Sequence, residues 1–113
     1  MPQFALLLRD DPQVFAGLSP EEAQKTIEKY RNWRLAPENR IVGGNKLKDH
    51  EGHVLRKNGS KPSVTDGPFV EAKEVMAGFF LIEAESYAEA VERAKTCPHM
   101  QFGSIEVRQI DRV

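Results

Sequence analysis

Two stretches of the chain are apolar at nearly every position, while the rest alternate or recur at helical spacing. Phe4-Ala5-Leu6-Leu7-Leu8, closed by Arg9-Asp10-Asp11-Pro12, predicts a strand covered on both faces, and so does Ala77 to Glu83 with its centre Phe79-Phe80-Leu81-Ile82. Gly103 to Ile110 alternates instead, with Ile105 and Val107 on one face and Glu106 and Arg108 on the other. Ile41 to Leu47 predicts a further strand, in which Gly43-Gly44 marks a bulge or a close approach of backbones. His53 to Lys57, Asn58-Gly59 and Lys61 to Thr65 predict a hairpin, because Asn-Gly suits a type I′ turn, and Pro62 confines that arm to a sheet edge.

Helical signals fall between these strands. Ser19 can cap, Pro20 suits the first helical position and Glu22 completes a capping box, after which Ala23, Ile27, Tyr30 and Trp33 line one face up to a stop near Ala36, before Pro37. Ser86 and Glu89 repeat the capping logic ahead of a stripe of Tyr87, Ala90, Val91 and Ala94, and Cys97-Pro98 ends that helix. The order β-α-β-(hairpin)-β-α-β is an α+β, ferredoxin-like split βαβ pattern with an inserted β-hairpin, spanning residues 1–113 as a single domain. Two helices cover one face of such a sheet, yet two of its strands are apolar on both. The pattern therefore predicts a homodimer, in which a second subunit covers the other face.

Composition narrows the function classes. The 113 residues are 40% hydrophobic and 29% charged, with a formal net charge of −1, and Lys and Arg are scattered rather than gathered on a basic segment. That argues against a nucleic-acid partner. The longest apolar run, Met76 to Ile82, falls far short of a membrane span, and Met1 to Leu8 lacks the basic region of a signal peptide. One cysteine, Cys97, forms no internal disulfide, so the expected location is cytoplasmic.

The strings Ser19-Pro20-Glu21-Glu22, Gly43-Gly44-Asn45-Lys46-Leu47, Val64-Thr65-Asp66-Gly67-Pro68-Phe69, Glu71-Ala72-Lys73-Glu74, Gly78-Phe79-Phe80-Leu81-Ile82 and Gly103-Ser104-Ile105-Glu106-Val107-Arg108 together resemble the YCII-related family, in the branch named for its Asp-Gly-Pro-Phe motif. The resemblance covers nearly the whole chain. It implies a dimeric α/β barrel of two ferredoxin-like subunits packed sheet to sheet, each with a cleft where a His and an Asp can meet. It implies no settled reaction, and some relatives accompany extracytoplasmic-function sigma factors. Arg34 to Asn39 is shorter and more interrupted than the family's usual first-helix end, which bears on that wall of the cleft.

Asp66 and His99 are the candidate catalytic pair. A carboxylate on one imidazole nitrogen fixes the tautomer and leaves the other as a general base. The competing reading makes Asp66 a turn builder and His99 a cap on a helix end. Lys73 and Arg108 are candidates to hold an anionic group, and Trp33 to line the cleft. Cys97 is read as buried and structural, since a thiol at a helix C-terminus faces the end that opposes its ionisation. Asp49-His50-Glu51-Gly52-His53 reads as a solvated loop rather than a metal site, and no cofactor motif occurs. Two functions follow: a metal-free enzyme of isomerase, lyase or hydrolase type that moves protons on a small molecule, or a non-catalytic dimeric binding or accessory module.

Overall fold

The computed structural model describes residues 1–67 and 74–113. Its elements are β1 (Gln3–Asp10), α1 (Pro12–Ala16), α2 (Pro20–Leu35), β2 (Ile41–Lys46), β3 (His53–Asn58), β4 (Lys61–Asp66), β5 (Val75–Glu83), α3 (Tyr87–Lys95) and β6 (Gly103–Gln109). Single 3-10 turns stand at Pro37–Asn39 and Pro98–Gln101. The strands run in the order β2-β5-β1-β6, each antiparallel to its neighbour, and β3 pairs with β4 in a separate two-stranded sheet. The two doubly apolar strands, β1 and β5, thus take the centre of the sheet. Pro68, Phe69 and Lys73 lie outside the described residues.

One sheet face carries Phe4, Leu6, Leu8, Phe80 and Ile82, which form the core with Trp33 of α2 and Ala90 and Ala94 of α3. Burying side chains of this size contributes about 2 kcal/mol each, against at most about 0.5 kcal/mol for a helix-surface pair such as Lys25–Glu21. Packing, not surface charge, holds the helices to the sheet. The other face presents the cross-strand pairs Ala5–Leu81 and Leu7–Phe79, all partly buried.

Both predicted helices form, with their stripes shifted. In α2 the Ser19–Glu22 capping box is complete. Its buried positions are Thr26 and Trp33, and Ile27 is exposed. Thr26 is tolerated there because its hydroxyl donates to the Glu22 carbonyl at 2.9 Å. In α3 Ser86 accepts from the Glu89 N–H, but the Glu89 carboxylate serves Glu85 N–H and Arg93 rather than Ser86. Tyr87 and Val91 are largely exposed there, and Cys97 completes the buried stripe.

The hairpin turn falls one residue later than Asn58-Gly59 predicts. Asn58 pairs with Lys61, so Gly59 and Ser60 make the loop, and only Gly59, with φ 63°, is left-handed. A glycine in that first central position suits a type II′ turn. The Gly43-Gly44 expectation holds. The β2–β5 register shifts between Ile41 and Gly43, and a Cβ on Gly44, whose φ is 145°, would sit 2.5 Å from the Phe79 carbonyl oxygen. Helix α1 was not predicted. Asp11 caps it by accepting from Gln13 N–H at 3.0 Å and Pro12 opens it, so residues read as a strand stop also start a helix.

Candidate functional site

A cavity of about 280 Å³ opens on the helix-covered side of the sheet, by the C-terminal end of β1 and the C-terminal half of α2. That is close to the small end of ligand pockets, about 300 Å³, and leaves room for a single substituted ring. Leu8, Phe15 and Phe80 give it apolar walls. Asp10, Tyr30 and His99 supply its inner polar groups, and Arg31, Arg34 and Lys46 its cationic ones.

His99 is the best-defined of these. It sits on the 3-10 turn that Pro98 opens after α3, and only 2% of its surface is exposed. Its Nε2 lies 2.9 Å from the Arg9 carbonyl oxygen and its Nδ1 lies 2.8 Å from the Tyr30 hydroxyl. A carbonyl can only accept, so Nε2 must carry the hydrogen. In the neutral ring Nδ1 is then the acceptor and the Tyr30 hydroxyl donates to it. If the ring gains a proton, Nδ1–H donates to the Tyr30 oxygen, and the hydroxyl hydrogen turns elsewhere. Both charge states of His99 thus keep their hydrogen bonds, and among the described residues no buried side-chain nitrogen or oxygen is unpartnered.

The neighbouring acids are tuned by the same burial. Burial pushes the Tyr30 phenol well above its ordinary value, so the hydroxyl is a neutral donor at rest. Burial also raises the Asp10 carboxyl above 3.8, an effect opposed by the positive charge His99 can carry and by Lys46, and assisted by Asp49 and Glu74. The arrangement can pass a proton between a molecule in the cleft and Nδ1 through the Tyr30 oxygen, with Asp10 close enough to stabilise the imidazolium.

The predicted site residues are distributed differently from expectation. His99 lies in the cleft, but Asp66 does not meet it. Asp66 ends β4 with a fully exposed carboxylate, 3.7 Å from Nδ1 of His53, its cross-strand partner. The acid that lies near His99 is Asp10. Trp33 is a core residue: its ring packs on Phe80 at 5.1 Å and its Nε1–H donates to Thr96 Oγ1 at 2.8 Å. Arg108 pairs with Ala5 on the outer sheet face, beside Glu106 at 3.8 Å, away from the cavity. Lys73 lies outside the described residues. Cys97 is buried, and burial pushes its thiol up to about 11, which leaves it inert as a nucleophile. Asp49, His50, Glu51 and His53 form no metal cluster; among the described residues no three such side chains gather.

Asp10, Tyr30, Arg31 and Arg34 are the residues that sequence reasoning missed. The available signal for Asp10 was a carboxylate closing a strand whose last positions leave the apolar core. For Tyr30 it was a hydroxyl on an otherwise apolar helix stripe.

An antiparallel α+β fold of split βαβ order, with this cleft between sheet and helix, defines the class. Residues 2–113 match the YCII-related domain, and the chain belongs to that family. It is 31% identical over 117 residues to an uncharacterized protein of Rhizobium meliloti (strain 1021), covering 95% of this chain and 90% of that one. Among solved structures it resembles the 5-chloro-2-hydroxyhydroquinone dehydrochlorinase of Burkholderia phenoliruptrix AC1100, in complex with 2,5-dihydroxybenzoquinone. The TM-score is 0.57 and the identity 15%, over 98% of this chain and 95% of that one. At that identity the likeness speaks for the fold alone. No helix among the described residues is long and apolar enough to cross a membrane.

Proposed function

We propose that the cleft is the active site of a small-molecule enzyme working by proton transfer, with Tyr30, His99 and Asp10 as its acid–base groups. The observation that carries this reading is the bond from His99 Nε2–H to the Arg9 carbonyl. It leaves Nδ1 as the single basic ring atom and sets it against the Tyr30 hydroxyl. A substrate with an acidic C–H or O–H bond, hydrogen-bonded to the Tyr30 oxygen, gives that oxygen its proton as the phenol proton passes to Nδ1. The imidazolium keeps its Nε2–H on Arg9 and faces the Asp10 carboxylate. Reversal delivers the proton to another atom of the substrate or to a departing group, which makes the chemistry an isomerisation or an elimination. Positioned general acid–base groups contribute about 10²–10⁴-fold in rate. The structural neighbour's name and bound dihydroxybenzoquinone support a small ring compound as the kind of ligand this fold can take.

The test is solvent exchange. Small enols, 1,3-dicarbonyls and hydroxyquinones, 2,5-dihydroxybenzoquinone among them, are incubated with the protein in D₂O and followed by proton NMR. Wild type is expected to speed loss of signal at acidic C–H positions of at least one compound, and Tyr30→Phe and His99→Gln to abolish that gain. Compounds that bind without accelerated exchange would return the cleft to the non-catalytic binding-module reading.

A homodimer goes with this proposal. The outer sheet face, with Ala5, Leu7, Phe79 and Leu81 beside the Arg9–Glu106 ion pair, is the surface a second copy covers. Light scattering is expected to give twice the chain mass for wild type and the single-chain mass for Leu7→Glu. A wild-type monomer would remove the dimer and leave the cleft untouched. A cytoplasmic setting suits the lone thiol.

A further inference from the structure

Two guanidinium groups line the cleft, and among the described residues no carboxylate pairs with either. Arg31 and Arg34 follow Tyr30 on α2, both are exposed, and neither has an ion pair or hydrogen bond among the described residues. The other cation of the wall, Lys46, is already engaged: its Nζ lies 2.8 Å from Asp49 Oδ1 and 2.9 Å from the Leu47 carbonyl. Asp10, the other carboxyl of the wall, is one acid against two guanidinium groups, and burial raises it toward its neutral form. The charge left over belongs to the two arginines, beside walls that are largely aromatic and aliphatic.

Spacing orients what such a site can hold. Arg34 stands four residues after Tyr30, so the two share a helix face and lie about one 5.4 Å turn apart. That is roughly the span of one six-membered ring. A guanidinium presents donors in a planar fork that matches a carboxylate in a bidentate fashion.

We infer that the cleft is selective for small planar carboxylic acids, whose carboxylate is held by Arg31 and Arg34 while the opposite edge of the ring meets the Tyr30 hydroxyl. This rests on the cleft being the active site and adds the class of substrate to it. The carboxylate is a binding handle here, and the proton that moves belongs to a hydroxyl or C–H across the ring. The cavity volume sets the size limit at one ring with its substituents.

Matched ligands test the inference by calorimetry at low salt: 2,5-dihydroxybenzoate against 2,5-dihydroxybenzamide, and 4-hydroxybenzoate against 4-hydroxybenzamide. Wild type is expected to prefer each acid over its amide by about tenfold or more. The preference should vanish in Arg31→Gln/Arg34→Gln and survive in Lys25→Gln, a change on the same helix outside the cleft. It should also survive in Tyr30→Phe. Equal affinity for acid and amide, an unchanged preference in the double variant, or no saturable binding of either acid at about 10 mM would each overturn it. Failure of proton exchange with the preference intact would instead remove the enzymatic reading and leave an arginine-based binding site.

Discussion

Gly103 lies against the main chain of Arg9: a Cβ built on it would fall 1.9 Å from the Arg9 carbonyl oxygen. That oxygen is the acceptor for His99 Nε2. A residue with no side chain at the start of β6 therefore keeps open the carbonyl that fixes the histidine tautomer. Gly103→Ala is expected to force the strands apart, at a cost of about 1–3 kcal/mol, typical of overpacking. Nitrogen-15 NMR of the His99 ring checks the consequence. Wild type should show a single Nε2–H tautomer, and the variant a mixture.

Removing the Tyr30 hydroxyl leaves His99 Nδ1 buried without its donor. Tyr30→Phe should lower stability by about 1–3 kcal/mol, the cost of an unsatisfied buried polar group, as read by urea denaturation. If the ring turned to find another partner, the loss would be smaller, and the ring nitrogen spectrum would show it.

Asp10 links the site to pH. Burial raises its carboxyl, so the folded protein holds that proton more tightly than the unfolded chain does. From the ordinary value of 3.8 up to the raised value, the unfolded state binds fewer protons, and this group's contribution to stability falls as pH rises. Asp10→Asn removes the cost of a buried charge. It is expected to unfold at higher denaturant than wild type at pH 7, to lose that advantage below pH 3.8, and to lose proton-exchange activity.

The same sign applies to Cys97 at the alkaline end. Its thiol is raised by burial to about 11 from 9.0, so between these values the unfolded chain releases a proton the folded one retains, and stability declines. At pH 8 a disulfide reagent should leave Cys97 untouched in the native protein and modify it fully in urea.

Local rules made much of the fold legible. Ser19-Pro20-Glu21-Glu22 starts a helix because capping is settled within four residues, and Phe79 to Ile82 takes a central position because a strand with no polar face is best sheltered between two neighbours. The site was only half legible. His99 stood out by its chemistry, but its partners are Tyr30, 69 positions away, and Arg9, 90 positions away, and no local pattern announces either. Asp66 attracted attention because it sits in a distinctive motif, yet the hairpin holds it opposite His53. Asp10 escaped notice because Asp11-Pro12 beside it already accounted for the end of the strand.

The division of labour within the cleft has a further consequence. The Arg9 carbonyl, Asp10 and His99 come from the end of a central strand and a turn packed upon it, where a substitution endangers folding. Arg31 and Arg34 come from the exposed side of a helix, where replacement typically changes stability by no more than about 0.5 kcal/mol. On the proposed reading, substitutions at Arg31 and Arg34 can change what the cleft admits at little cost to stability, while the buried histidine and its partners stay in place. Selectivity on this frame is thus the part that can drift, and the packed histidine the part that folding itself protects.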